Sequence, residues 1–189
     1  MRKKDDEKQR CIKNAVVRLI LEEGFQGASI SKIARTAGVS PATVYIYYEN
    51  KEAMLREIYL EYTEVRVQYL LQYISPNMEG EEIIAQLIRR YYHFIREHKE
   101  VFHFIEQFSA CPVLQSSCGL MKGPAALNQL LTDLKKRQIL NNFNNDNLFA
   151  ILFSPVKLIA VITCEPETIA MKRLNELIYI IQKALIKDY

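Results

Sequence analysis

The stretch from Ala28 to Leu55, ASISKIARTAGVSPATVYIYYENKEAML, decides the fold. It reads as a short helix, a glycine turn, a second short helix and the start of a longer one. Ser29 is placed to cap the first helix, its hydroxyl oxygen accepting one of the N–H groups left free in an opening turn. Ile30, Ile33, Ala34 and Ala37 follow as an apolar stripe at helical spacing. Gly38 ends that helix, because glycine takes the left-handed conformation at little steric cost. Val39 is expected to plug the corner. Ser40 and Pro41 restart the chain as N-cap and first helical residue, where the missing proline N–H does no harm. Two short helices joined by such a turn make a helix-turn-helix, whose second helix enters a DNA major groove.

The second helix sorts its residues at about 100° per residue. Val44 and Tyr48 share the inner face. Ala42 and Ile46 point outward, with Thr43, Tyr45 and Tyr47 on the flanks. An isolated soluble helix does not usually show an isoleucine and two tyrosines to water, whereas a helix pressed into a groove can use them. The alternative is that Tyr45, Ile46 and Tyr47 pack on neighbouring helices.

The same residues carry a resemblance. The pattern formed by Ile30, Ile33, Ala34, Ala37, Gly38, Val39, Ser40, Thr43, Val44, Tyr45, Tyr47, Tyr48, Asn50, Lys51 and Leu55 resembles the DNA-binding signature of TetR-type (tetracycline-repressor-like) transcriptional regulators. It covers residues 10–60, and beyond them only the all-helical pattern agrees. The resemblance implies an all-α chain: an N-terminal three-helix helix-turn-helix DNA-binding domain over residues 1–50, and a C-terminal helical ligand-binding and dimerisation domain over 51–189. It also supplies most of the expected DNA contacts: Ser29, Lys32, Ser40, Pro41, Ala42, Thr43, Tyr45, Ile46, Tyr47 and Lys51. Lys51 opposes the dipole of the helix that Asn50 caps, and a DNA phosphate is the anion that would favour it. The family motif often has glycine where Ala42 stands and histidine where Ile46 stands, so this chain departs from it at two outward positions.

Composition agrees with a polyanion partner. The formal net charge is +3, and residues 1–60 hold 11 Lys/Arg against 8 Asp/Glu, so the whole surplus lies with the helix-turn-helix. Arg2, Lys3 and Lys4 form a basic tail that would reach a phosphate or a minor groove, or stay solvated. Cys11, Cys111, Cys118 and Cys164 show no CxxC spacing, which suits free thiols in a reducing cytoplasm. The charged N-terminus argues against export. No apolar run reaches the ~18 residues of a membrane span. A cytoplasmic protein is expected.

The first helix should run to Glu23 on an Ile12, Ala15, Val16, Leu19, Ile20 stripe, with Gly24 ending it and Phe25 packing back on the core. From Lys51 the helical pattern continues to Ile74, about 37 Å at ~1.5 Å per residue. That helix, 51–74, is expected to link the two domains. Further helices are expected over 81–96, 100–110, 123–136, 148–162 and from 167 onward, with loops at 112–120 and 141–147. The helix 148–162 is apolar on nearly every side and contains Pro155, a kink or a break. A second copy of the chain is expected to cover the last two helices through Phe149, Leu152, Phe153, Val156, Ile159, Leu174, Leu177, Ile178 and Ile181. The resemblance also implies this homodimer.

No GxSxG, Walker-type loop or HExxH is present, so no enzyme chemistry and no cofactor or metal is expected. His93, His98 and His103, five residues apart, do not stack on one helical face; with Glu106, Cys111 and Cys118 they leave a metal- or thiol-sensing site as an open alternative. Aromatic crowding suggests a small-molecule pocket among Arg66, Tyr69, Tyr91, Phe94, His98, Phe102, His103, Glu106 and Phe108. The alternative is that these rings are core, which for any single ring is the simpler reading. The expected protein is a dimeric, ligand-responsive repressor of a palindromic operator, with a small-molecule effector of unknown identity. The rivals are an architectural DNA-binding dimer without a ligand, and a helical carrier or enzyme with a vestigial head.

Overall fold

The computed structural model of the chain describes residues 2–75, 77–109, 121–162 and 165–187, with side chains from residue 6. Among them are nine helices: α1 (Arg2–Gly27), α2 (Ile30–Ala37), α3 (Pro41–Tyr47), α4 (Lys51–Leu71), α5 (Gly80–Glu97), α6 (Lys99–Phe108), α7 (Lys122–Lys136), α8 (Asn145–Val161) and α9 (Glu167–Leu185). The described residues form no β-strand beyond one isolated antiparallel bridge between Leu140 and Ile186. No helix among them is long and apolar enough to cross a membrane. They divide into two compact units, residues 2–63 with 100–109, and residues 64–99 with 121–187. The expected loop at 112–120 lies outside the described residues.

In the first unit, α1 packs on α2 and α2 on α3. Ile12, Val16 and Ile20 of α1 meet Ile33, Val44, Met54 and Ile58, all of them fully buried or within 1% of it. Phe104 and Ile105 of α6 complete this core. Burial of each such side chain is worth about 1.5–3 kcal/mol, which two short helices could not collect alone. Gly24 breaks α1 with φ 74 and ψ 177, and a further turn follows to Gly27. Phe25 packs against the core from beyond that bend. Helix α1 begins at Arg2, so the three basic residues expected ahead of it belong to its first turn.

In the second unit, α5 is the central element. It buries Ile84, Leu87, Ile88, Tyr92 and Phe94 completely and packs on α8 and α9, which also pack on each other. The Tyr92 hydroxyl donates to Glu167 Oε1 at 3.0 Å, tying α5 to the start of α9. Glu64 of α4 accepts the Gly123 N–H at 2.9 Å, satisfying a free donor in the first turn of α7.

Two of the boundaries that differ from expectation have a non-local or a side-chain reason. Helix α4 stops at Leu71, three residues early. The Arg90 guanidinium, 3.7 Å from the Tyr69 ring centroid, donates to the Tyr69 carbonyl at 3.1 Å and to Gln72 Oε1 at 2.9 Å. A cation on the final carbonyls stabilises a helix end there. Helix α8 starts early, because Asn144 caps it by accepting the Asp146 N–H at 2.7 Å. It runs on through Pro155 as one helix, with the Ile151 carbonyl losing its usual partner.

Candidate nucleic-acid interface

The helix-turn-helix is fixed by its caps. Ser29 Oγ accepts the Lys32 N–H at 3.3 Å, and Ser40 Oγ accepts the Thr43 N–H at 3.1 Å. Asn50 Oδ1 accepts the Ala53 N–H at 2.7 Å and starts α4. Between α2 and α3, Gly38 sits at φ 68 and ψ 31, where a Cβ is strained. The Val39 N–H donates to the Ala34 carbonyl at 2.9 Å, closing the turn. Each of these helix starts thus has a local side chain for a donor of its opening turn.

Helix α3 then divides as its sequence predicts. Val44 is fully buried and Tyr48 is 4% exposed. Burial pushes the Tyr48 phenol up to about 12, with Glu57 and Glu61 adding to it and a hydrogen bond with Gln9 opposing. On the other side Ile46 is 77% exposed and Tyr45 56%, with Pro41 and Ala42 also exposed. Thr43 and Tyr47 are half-buried on the flanks, Tyr47 against the core. Of the three side chains that could have packed on neighbours, only Tyr47 does so.

The lysines are already engaged. Lys51 Nζ donates to the Phe25 carbonyl and lies 4.0 Å from that ring's centroid. It therefore joins the start of α4 to the bend after Gly24, and the opposed helix dipole is answered by a carbonyl oxygen. Lys32 pairs with the Glu23 carboxylate. Arg35, absent from the expected contacts, is exposed in the last turn of α2, where a cation suits the helix dipole.

Residues 12–58 match the family model described as bacterial regulatory proteins, tetR family. That similarity is confined to α1–α4 of the head, about a quarter of the chain. It is 30% identical over 79 residues to the fatty acid metabolism regulator protein of Bacillus subtilis, covering 42% of this chain and 41% of that one. It is 27% identical over 106 residues to IcaR, the negative transcriptional regulator of the biofilm operon icaADBC in Staphylococcus epidermidis, covering 56% and 55%. The matched stretches thus span about half, or less, of these curated relatives. A TetR family transcription regulator of Marinobacter aquaeolei superimposes with a TM-score of 0.82 at 24% identity, over 100% of both chains. That last likeness is one of fold, and the fold is all-α.

Beyond the helix-turn-helix, the residues expected to form a pocket are divided between the two units. Phe102, His103, Glu106 and Phe108 belong to the first unit, and Arg66, Tyr69, Tyr91, Phe94 and His98 to the second. In the second unit the Tyr69 ring meets Phe94 and His98 at 5.5 Å each, and its hydroxyl donates to Glu97 Oε2 at 2.7 Å. Tyr91 packs edge-on to Phe153 at 5.0 Å. An open surface depression of about 750 Å³ in this unit lies at the end of α4, lined by Leu71, Ile74, Ser75, Ile83, Ala126 and Leu130 with the charged Asp133, Lys136 and Arg137. None of the nine expected residues lines it. Among the described residues, no three His, Cys, Asp or Glu converge to hold a metal ion. Cys111, Cys118 and Cys164 lie outside the described residues, and Cys11 is an exposed thiol.

The residues expected at a dimer interface mostly face inward. Leu152, Val156, Ile159, Leu174, Ile178 and Ile181 are buried within their own chain, while Phe149, Phe153 and Leu177 are half-buried. The expected stripe is therefore largely the inner side of each helix, which the chain covers itself. The apolar side chains left to solvent are Ile151, Leu158 and Val161 of α8, and Ile169, Tyr179 and Ile180 of α9. Leu158, 71% exposed, is the boldest of them.

Proposed function

We propose that this chain is a homodimeric, ligand-responsive transcriptional regulator that represses from a palindromic operator and is released by a small molecule. The observation that carries the DNA-binding part is the outward face of α3, with Ile46 at 77% and Tyr45 at 56% exposure on a helix whose inner side is fully packed. Ser29, Lys32, Ser40, Pro41, Ala42, Thr43, Tyr45, Ile46, Tyr47 and Lys51 remain its proposed contacts. For Lys32 and Lys51, phosphate binding would compete with Glu23 and with the Phe25 carbonyl. The exposed apolar residues of α8 and α9 support dimerisation, since six large apolar side chains left to solvent on two helices that pack on each other suit an interaction face. An effector site is proposed at the open depression at the end of α4, whose apolar floor and charged Asp133, Lys136 and Arg137 could hold a small molecule. Helix α4 has residues in both units, so an effector that favours one placement of its second half shifts the population of DNA-competent dimers.

The test is footprinting and fluorescence anisotropy of the full chain on the DNA flanking its own gene. Two protected half-sites about 34–36 Å apart, on successive major grooves, are expected. Coverage of many unrelated fragments with no compound releasing them would instead mark an architectural protein. Absence of binding at low salt would leave only a carrier or enzyme.

A further inference from the structure

We propose that α3 reads the C5 methyl groups of pyrimidines, through Ile46 and Ala42, and that 5-methylcytosine can stand in for thymine at the contacted positions. The proposal rests on the DNA-binding function proposed above and concerns what that same face recognises.

Helix α3 is distinguished first by what it lacks. Its residues, Pro41, Ala42, Thr43, Val44, Tyr45, Ile46 and Tyr47, include no amide, guanidinium, ammonium or carboxylate side chain. Bidentate recognition of guanine or adenine needs one of those groups. The hydroxyls are few and partly committed. Thr43 Oγ1 is 2.9 Å from Ser40 Oγ within the cap, and Tyr47 is half-buried against the core. What the helix does present is Tyr45, 56% exposed with a single phenolic hydroxyl, and Ile46, the most exposed of the large hydrophobic residues among those described. Ala42 lies one turn earlier on the same side, exposed as well.

The chemistry of the groove then selects the target. Most of the major-groove edge is polar, and pressing a branched hydrocarbon against an N7, O6 or amino group strips water from it without replacing the hydrogen bond. The C5 methyl of thymine is the one apolar group there, and 5-methylcytosine carries the same methyl in the same place. Residues four apart on a helix hold their Cβ atoms about 5–6 Å apart, so Ile46 and Ala42 span roughly two base-pair steps of ~3.4 Å. Each half-site should therefore hold one or two methyl-bearing pyrimidines on adjoining steps. Methylation of a cytosine at such a step would strengthen the site.

The test uses the full chain and starts from a random-sequence duplex library, so the operator need not be identified beforehand. The library is enriched for binding at fixed salt, and the winning duplex is remade with each thymine in turn replaced by uracil, by cytosine, and by 5-methylcytosine, the last two paired with guanine. Loss of one contacted methyl should weaken binding about threefold to fivefold. Cytosine at the same place should weaken it at least as much, and 5-methylcytosine should recover most of that loss. In an Ile46→Ala chain, whose fold is checked by circular dichroism, the penalty for uracil should vanish at one position. Wild-type protein that binds thymine and uracil duplexes alike overturns the proposal, as does an equal uracil penalty in Ile46→Ala. A library that yields no enriched sequence overturns sequence-specific DNA binding, and this reading with it.

Discussion

At the scale of single residues, the head is held together by polar groups used inside an apolar core. Tyr48 and Tyr62 are the clearest examples. Burial raises both phenols to about 12, from an ordinary tyrosine value near 10. A folded-state value above the unfolded one means the folded chain keeps its phenol protons longer. Their contribution is complete below pH 10 and is lost as the pH climbs from about 10 towards 12. Denaturant titrations across that window should show falling stability, accompanied by phenolate absorbance. In a Tyr48→Phe, Tyr62→Phe chain the fall should be shallower, and an unchanged slope would show that other groups govern it. Lys51 is the converse case: a charged side chain that resembles a phosphate anchor is, in this chain, already a brace on the Phe25 carbonyl.

At the scale of elements, the caps matter most. Ser40 holds the first turn of a helix only seven residues long, too short to stand without tertiary support. Ser40→Ala should cost about 1 kcal/mol of stability, on the order of 5 °C in Tm for a unit of this size. Calorimetry that finds no shift would show that Pro41 and the core alone position α3. These starts were legible in the sequence because every signal was local. Ser29, Gly38, Ser40, Pro41 and Asn50 each act on donors or dihedrals within three residues. The end of α4 was not legible, because Arg90 acts on it from across 21 residues of chain. Nor was the start of α8, where an asparagine-rich run offers several candidate caps and only Asn144 makes the bond.

At the scale of the molecule, periodicity told helix from loop but not one apolar face from another. Helix α8 is apolar nearly all round, so its inner stripe (Leu152, Val156, Ile159) and its outer one (Ile151, Leu158) look alike in sequence. Likewise His98 and Phe102 are near neighbours in the chain, yet the division into units passes between them at Lys99. The outer stripes make a prediction. Leu158→Glu with Ile180→Glu, both exposed enough to leave the fold intact, should convert a dimer of twice 22.0 kDa into a monomer. Light scattering after size exclusion reads this directly, and a wild-type chain already monomeric at micromolar concentration would exclude the interface.

The central claim is that the outward face of α3 recognises DNA sequence, and one measurement addresses it. Equilibrium anisotropy at ~0.15 M salt compares an enriched duplex with a scrambled duplex of the same composition, for the wild-type chain and for Tyr45→Ala, Ile46→Ala. The wild type should prefer the enriched duplex by about 10³-fold or more. The double variant should lose most of that preference while keeping its weak, salt-dependent binding to both. Equal affinity of the wild type for the two duplexes, or an undiminished preference in the double variant, would contradict the account.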